Sequence, residues 1–106
     1  MNAEERFAAL ARDLNARSGV QPPGQGRGFG ATALKVDGSI FAMLMGEHLV
    51  VKLPADRVAA LIADGNGGPF GTGERRPMRE WLTVVDDEAW WPLAEEALEF
   101  ARARQR

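Results

Sequence analysis

The stretch ATALKVDGSIFAMLMGEHLVVKLP, residues 31 to 54, constrains the fold more than any other part of the chain. Asp37-Gly38 favours the positive φ angles of a tight hairpin turn, so a strand over 31–36 should return as a strand over 39–45. Gly46-Glu47 makes a second short connection into a third strand, 48–53. If both turns hold two residues, facing pairs share a sheet face. One face then carries Thr32, Leu34, Val36, Phe41, Met43, Met45, His48, Val50 and Lys52. The other carries Ala31, Ala33, Lys35, Ile40, Ala42, Leu44, Leu49, Val51 and Leu53. Both faces are largely apolar, whereas a sheet with one wet face alternates apolar and polar residues. The expectation is helices on one side and partial cover by a second copy of the chain on the other.

Helical periodicity brackets these strands. Ala3, Phe7, Leu10 and Leu14 recur at helical spacing over 2–17, with Asn2 as the cap and Glu5 three positions on. SGVQPPGQGRG then reads as a loop, because glycine and two prolines break any helix. Pro54 opens a second helix, PADRVAALIADG, with Val58, Leu61 and Ile62 inward and Gly65 as its stop. A fourth strand is placed at Pro69 to Thr72 and a fifth in REWLTVV. The closing helix, DDEAWWPLAEEALEFARAR, turns Trp90, Ala94, Ala97, Leu98 and Ala101 inward and Glu95, Glu96 and Glu99 outward. The order α-β-β-β-α-β-β-α describes a two-layer α+β fold with an antiparallel sheet. At 106 residues the chain is one domain, 1–106, with a single modest core.

Composition narrows the chemistry. There is no cysteine, which removes disulfides, thiolate metal sites and a cysteine nucleophile. A small domain without such staples is expected in the cytoplasm. The opening NAEERFAALARDL is charged and amphipathic, unlike a signal peptide, and no segment approaches the roughly 20 apolar residues that span a bilayer. The one histidine, His48, reads as a surface residue beside a turn, so no metal site is expected. Ser18 and Ser39 have no second histidine with which to form a triad. GQGRGFG precedes a strand rather than a helix N-terminus, and NGGPFGTGERR lacks the phosphate-loop lysine, so no cofactor is expected either. Asp86, Asp87 and Glu88 read as helix-start acids rather than an acid–base pair. These residues argue for a non-enzymatic protein.

The net charge of −2 is unevenly spread, with −7 over residues 80–101, +2 over 21–79 and +3 in the final RARQR. Three arginines, Arg75, Arg76 and Arg79, crowd the stretch GERRPMREW. They are candidates for a partner or phosphate contact, or for pairing with Glu74, Glu80 or the acidic last helix. Lys52 joins the candidates through a basic rim of Arg27, Lys35, Lys52 and the three arginines. Trp81 and Trp90 are assigned to the core. Trp91, adjacent to Trp90, points elsewhere and is the candidate aromatic contact.

Taken in order, RGFGATALKVDGSIFAMLMGEHLVVKLP, RVAALIADGNGGPF, RRPMREW and WPLAEEALEF resemble the TfoX N-terminal-domain family. The resemblance runs from about Arg27 to Arg102. Val51-Lys52-Leu53-Pro54, and Arg76-Pro77-Met78 with Trp81 three positions on, match its pattern; Gly28-Phe29-Gly30 stands where the family has Met-Phe-Gly. The family implies a secretion-chaperone-like or YjbR-like α+β fold, no established catalytic residues and no cofactor. It also implies a regulatory or protein-interaction role, with a protein partner or a homodimer. The alternatives are direct DNA binding through the basic rim, which the sequence pI of about 5.4 disfavours, and a small-molecule or enzymatic site beside the Gly65–Arg79 loop.

Overall fold

The computed structural model describes residues 2–17, 20–21, 33–70 and 79–104. Its elements are α1 (Ala3–Asn15), β1 (Val20–Gln21), β2 (Ala33–Val36), β3 (Ser39–Met45), β4 (His48–Lys52), α2 (Ala55–Ala63), β5 (Gly67–Pro69), β6 (Trp81–Val84) and α3 (Trp90–Arg104). A short 3-10 turn, Asp87–Ala89, leads into α3. The strands form one antiparallel sheet in the order β1-β2-β3-β4-β6-β5, so the fold is α+β.

Local chemistry sets the element ends. The Asn2 side chain accepts the Glu5 N–H at 2.7 Å, satisfying one of the amides that a helix start leaves unpaired. Asp37 and Gly38 have φ of 50° and 86°, the pair of positive angles that a type I′ hairpin turn requires. After α2, the Gly65 N–H reaches the Ile62 carbonyl and the Asn66 N–H reaches that of Leu61. That is the Schellman pattern, with Gly65 in the left-handed region at φ 79°. Asp86 accepts the Glu88 N–H at 3.0 Å, the role expected of an acid ahead of the last helix.

All three helices pack on one face of the sheet. Phe7, Leu10 and Leu14 of α1, Val58 and Leu61 of α2, and Trp90, Leu93, Ala94, Ala97 and Leu98 of α3 share one buried cluster with the strands. Leu93 completes the stripe expected of α3, since it lies three residues from Trp90 and four from Ala97. On the opposite face Ala33, Met43 and Val50 are buried, with Ile40, Phe70 and Trp81 packed against them. The centre of this second face is therefore covered within the chain itself. Burying it does not call for the second copy that the strand pattern suggested.

Three details depart from the sequence reading. The first hairpin starts in the expected register, with Val36 opposite Ser39 and Lys35 opposite Ile40, but Leu34 then pairs with Ala42. Phe41 is the extra residue of a β-bulge. The bulge sends both Phe41 and Ala42 into the helix-side core and returns Leu34 to the face of Ala42, Leu44 and Val51, not that of Met43. Second, Val20–Gln21 pairs with β2 within a segment read as loop, because two residues beside an edge suffice for a short ladder. Third, β5 lies at Gly67–Pro69, earlier than Pro69–Thr72, where two glycines let the chain run close to β6.

Gly67 gives this arrangement a direct test. A Cβ there would stand 2.5 Å from Leu82 Cδ1 and 3.0 Å from the Thr83 carbonyl oxygen, and Leu82 is fully buried. Gly67→Ala should therefore destabilise by about 1–3 kcal/mol. At roughly 4–8 °C per kcal/mol, that loss is large in a thermal melt followed by circular dichroism. Gly68→Ala, which meets open space, should leave the midpoint nearly unchanged. Equal midpoints for the two variants would contradict the close β5–β6 approach.

Candidate functional site

A cleft of about 490 Å3 opens between α2 and the β5–β6 edge, within the usual size range of ligand sites. Its position follows from chain order. Pro54 and the α2 turn carry the chain from β4 outward, and the Schellman stop turns it back so that β5 can join β6. The walls are Val58, Ala59 and Ile62 of α2, Pro69 of β5 and Trp81 at the start of β6. Ala55 and Ala59 are small and exposed, which leaves room beside Ile62. The Thr83 hydroxyl donates to the Pro69 carbonyl at 3.3 Å and ties the two strands together.

Two charged residues line this apolar cleft, Asp56 and Arg79. Asp56 lies in the first turn of α2, and one of its oxygens accepts the Arg57 N–H at 3.1 Å. Arg79 is exposed and makes no ion pair with any described residue. Trp81 is half-buried and serves both sides of the strand. It lines the cleft and also packs on the second core cluster, with its ring 6.4 Å from Phe70.

The sequence candidates separate. Arg75 and Arg76 lie outside the described residues. Lys52 pairs across the ladder with Trp81, and its ammonium lies 5.7 Å from the indole centroid, in cation–π range. Arg79, Trp81 and Lys52 thus gather at one end of β6. Trp91 does not join them. Its indole N–H donates to Asp13 at 2.7 Å across the α1–α3 contact. Of the other lining residues, Ile62 was expected to face inward and Pro69 to open a strand in the Gly65–Arg79 loop, whereas Asp56 and Ala59 carried no expected role. Their signal is the pair of alanines four apart beside Ile62 on an otherwise amphipathic helix.

The acidic helix finds its partners elsewhere. Glu95 pairs with Arg17, Glu96 with Arg57 and Glu99 with Arg102. Glu80 takes Arg104, with both carboxylate oxygens 3.0 Å from the same guanidinium nitrogen. Arg79 is therefore not paired with Glu80 or the last helix, as the charge count had allowed. The helix ends bring Arg17, Arg57 and Arg104 to those acids first. The Glu96 carboxylate, by hydrogen bond and charge, raises the Arg57 pKa above its ordinary value.

A second surface feature lies at the far end of the sheet. Met45 and Val85 are the two large apolar residues left exposed among the described residues, at 36% and 52%. They stand near one another: Met45 pairs with His48, the next residue Leu49 pairs with Val84, and Val85 follows. His48 itself is exposed beside its turn, as expected. Among the described residues no group of three or more His, Asp or Glu is placed to hold a metal ion, and no helix is long and apolar enough to cross a membrane. Comparison with family models, with curated proteins and with solved structures gave no match.

Stability should separate the candidates. Arg79→Ala removes an exposed side chain with no ion-pair partner among the described residues and should change unfolding free energy by less than about 0.5 kcal/mol. Trp91→Phe keeps most of the packing but loses the bond to Asp13, for a cost of about 1 kcal/mol. Urea denaturation measures both. A larger loss for Arg79→Ala than for Trp91→Phe would contradict these placements.

Proposed function

We propose that this chain is a non-enzymatic regulatory or protein-interaction module, the role implied by its resemblance to the TfoX N-terminal-domain family. The observation that carries the reading is the exposed apolar end of the sheet at Met45 and Val85. Exposed apolar side chains grouped at one place are a common mark of protein contact. His48 between them adds a polar group of the kind found at contact rims. The α+β arrangement agrees with the fold that the resemblance implies. A cytoplasmic setting belongs to the same reading.

A second reading, direct DNA binding, is favoured by one observation. Lys35, His48 and Lys52 all fall on the face of the sheet away from the helices, and no described strand residue on that face is acidic. The helix side holds the carboxylates of α3, which would repel a phosphate backbone. That division permits a local basic surface on an acidic protein.

One pair of experiments separates the two. Met45→Glu with Val85→Glu places charge on exposed positions and should leave the melting midpoint within a few degrees. Under the interaction reading, the wild-type chain retains a specific partner in affinity capture and the double variant loses it. Equal capture by both would sink that reading. In parallel, anisotropy of labelled duplex DNA at low and moderate salt tests the second. Binding that falls steeply with salt and weakens in Lys35→Ala, Lys52→Ala would favour DNA, whereas no binding at low salt would remove it.

A further inference from the structure

We propose that the cleft between α2 and β6 is a binding site for a small, flat, apolar monocarboxylic acid. The proposal goes beyond the interaction role and uses a different surface, so either can fail without the other. Three observations lead to it. First, the cleft has the volume of a small-molecule site and walls from Val58, Ala59, Ile62, Pro69 and Trp81. The indole of Trp81 and the ring of Pro69 suit a planar body, because aromatic faces favour offset stacking.

Second, the cationic group lining the cleft is Arg79, with no carboxylate of the described residues within ion-pair range. A guanidinium presents a planar fork that matches a carboxylate with two parallel hydrogen bonds. Of the acids that might have claimed it, Glu80 is held by Arg104 and Glu96 by Arg57, and Glu74 lies outside the described residues. Among the described residues, Arg79 thus borders an apolar cleft with no carboxylate in ion-pair contact.

Third, Asp56 lines the same cleft and sets the charge that the ligand carries. One of its oxygens accepts the Arg57 amide N–H, which leaves the side chain with acceptor capacity to spare. A phosphate monoester, with nearly two negative charges at neutral pH, would share the cleft with that acid and is disfavoured. A monoanion satisfies Arg79 with the least repulsion. A hydrogen-bond donor at the far end of the ligand would gain from Asp56.

The test uses three probes with one ring system: 2-naphthoate, the neutral 2-naphthamide and 2-naphthyl phosphate. Each is titrated into the full chain by heteronuclear NMR, following the Trp81 indole and the methyl groups of Val58 and Ile62. Naphthoate should bind about 3- to 5-fold more tightly than naphthamide, the range expected for a solvent-exposed ion pair, and more tightly than the phosphate. Arg79→Gln should erase the naphthoate advantage and leave naphthamide binding unchanged. Ala59→Trp, at an exposed position, should fill the cleft and weaken all three probes without lowering the melting midpoint. Equal affinity for naphthoate and naphthamide would overturn the role of Arg79, and preference for the phosphate would overturn that of Asp56. Shifts confined to residues outside the cleft, or none at millimolar probe, would overturn the site.

Discussion

The packing of α3 across β3 and β4 is the contact on which the rest of this structure depends. Trp90, Ala94, Ala97 and Leu98 are essentially excluded from solvent, and they meet Phe41, Ala42, Leu49 and Val51 in the same cluster. Three of the inner α3 positions are alanine, Ala94, Ala97 and Ala101, which lets the helix lie close to the sheet. With α3 in place, its outer edge offers Glu95 to the end of α1 and Glu96 to the first turn of α2. These exposed ion pairs contribute little to stability individually. The flanking helices are seated by their buried apolar residues, and the ion pairs determine which charges are left over.

The cleft is a consequence of that arrangement. Once α2 is seated through Val58 and Leu61, its outer surface of Ala55, Ala59 and Ile62 projects past the sheet towards β5. The strand returning from the Gly65 stop must lie close to β6, and Gly67 permits it by having no side chain to strike Leu82. Small residues on the helix and a close strand pair below them leave an apolar hollow with Trp81 at one side. The same charge partition that places Glu80 on Arg104 leaves Arg79 at its edge.

Much of this was legible in the residues. Asn2, Asp37-Gly38, Pro54 and Gly65 each act through local backbone chemistry, so each mark could be read without knowing what surrounds it. The inner stripes of α1 and α3 follow from periodicity for the same reason. The bulge at Phe41 could not be read, because nothing local distinguishes a regular SIFAM strand from one with an extra residue. It is set by the demand that both Phe41 and Ala42 reach the helix layer. The pairing of Arg17, Arg57 and Arg104 depends on where three helix ends meet, so a charge count along the chain could list the acids but not assign their partners. Arg79 was a candidate from the start, whereas the hollow beside it required α2 and β5 to be placed in space.

The proposed ligand site is one hollow, with Trp81 as the wall and Arg79 as the anchor. The most direct measurement is a crystal structure of the chain grown in the presence of 2-naphthoate. The ring system should lie against Trp81, Pro69 and Ile62, with the carboxylate turned towards the Arg79 guanidinium and away from Asp56. An empty cleft with the naphthoate bound at another surface, or a ligand in the cleft whose carboxylate points away from Arg79, would contradict it.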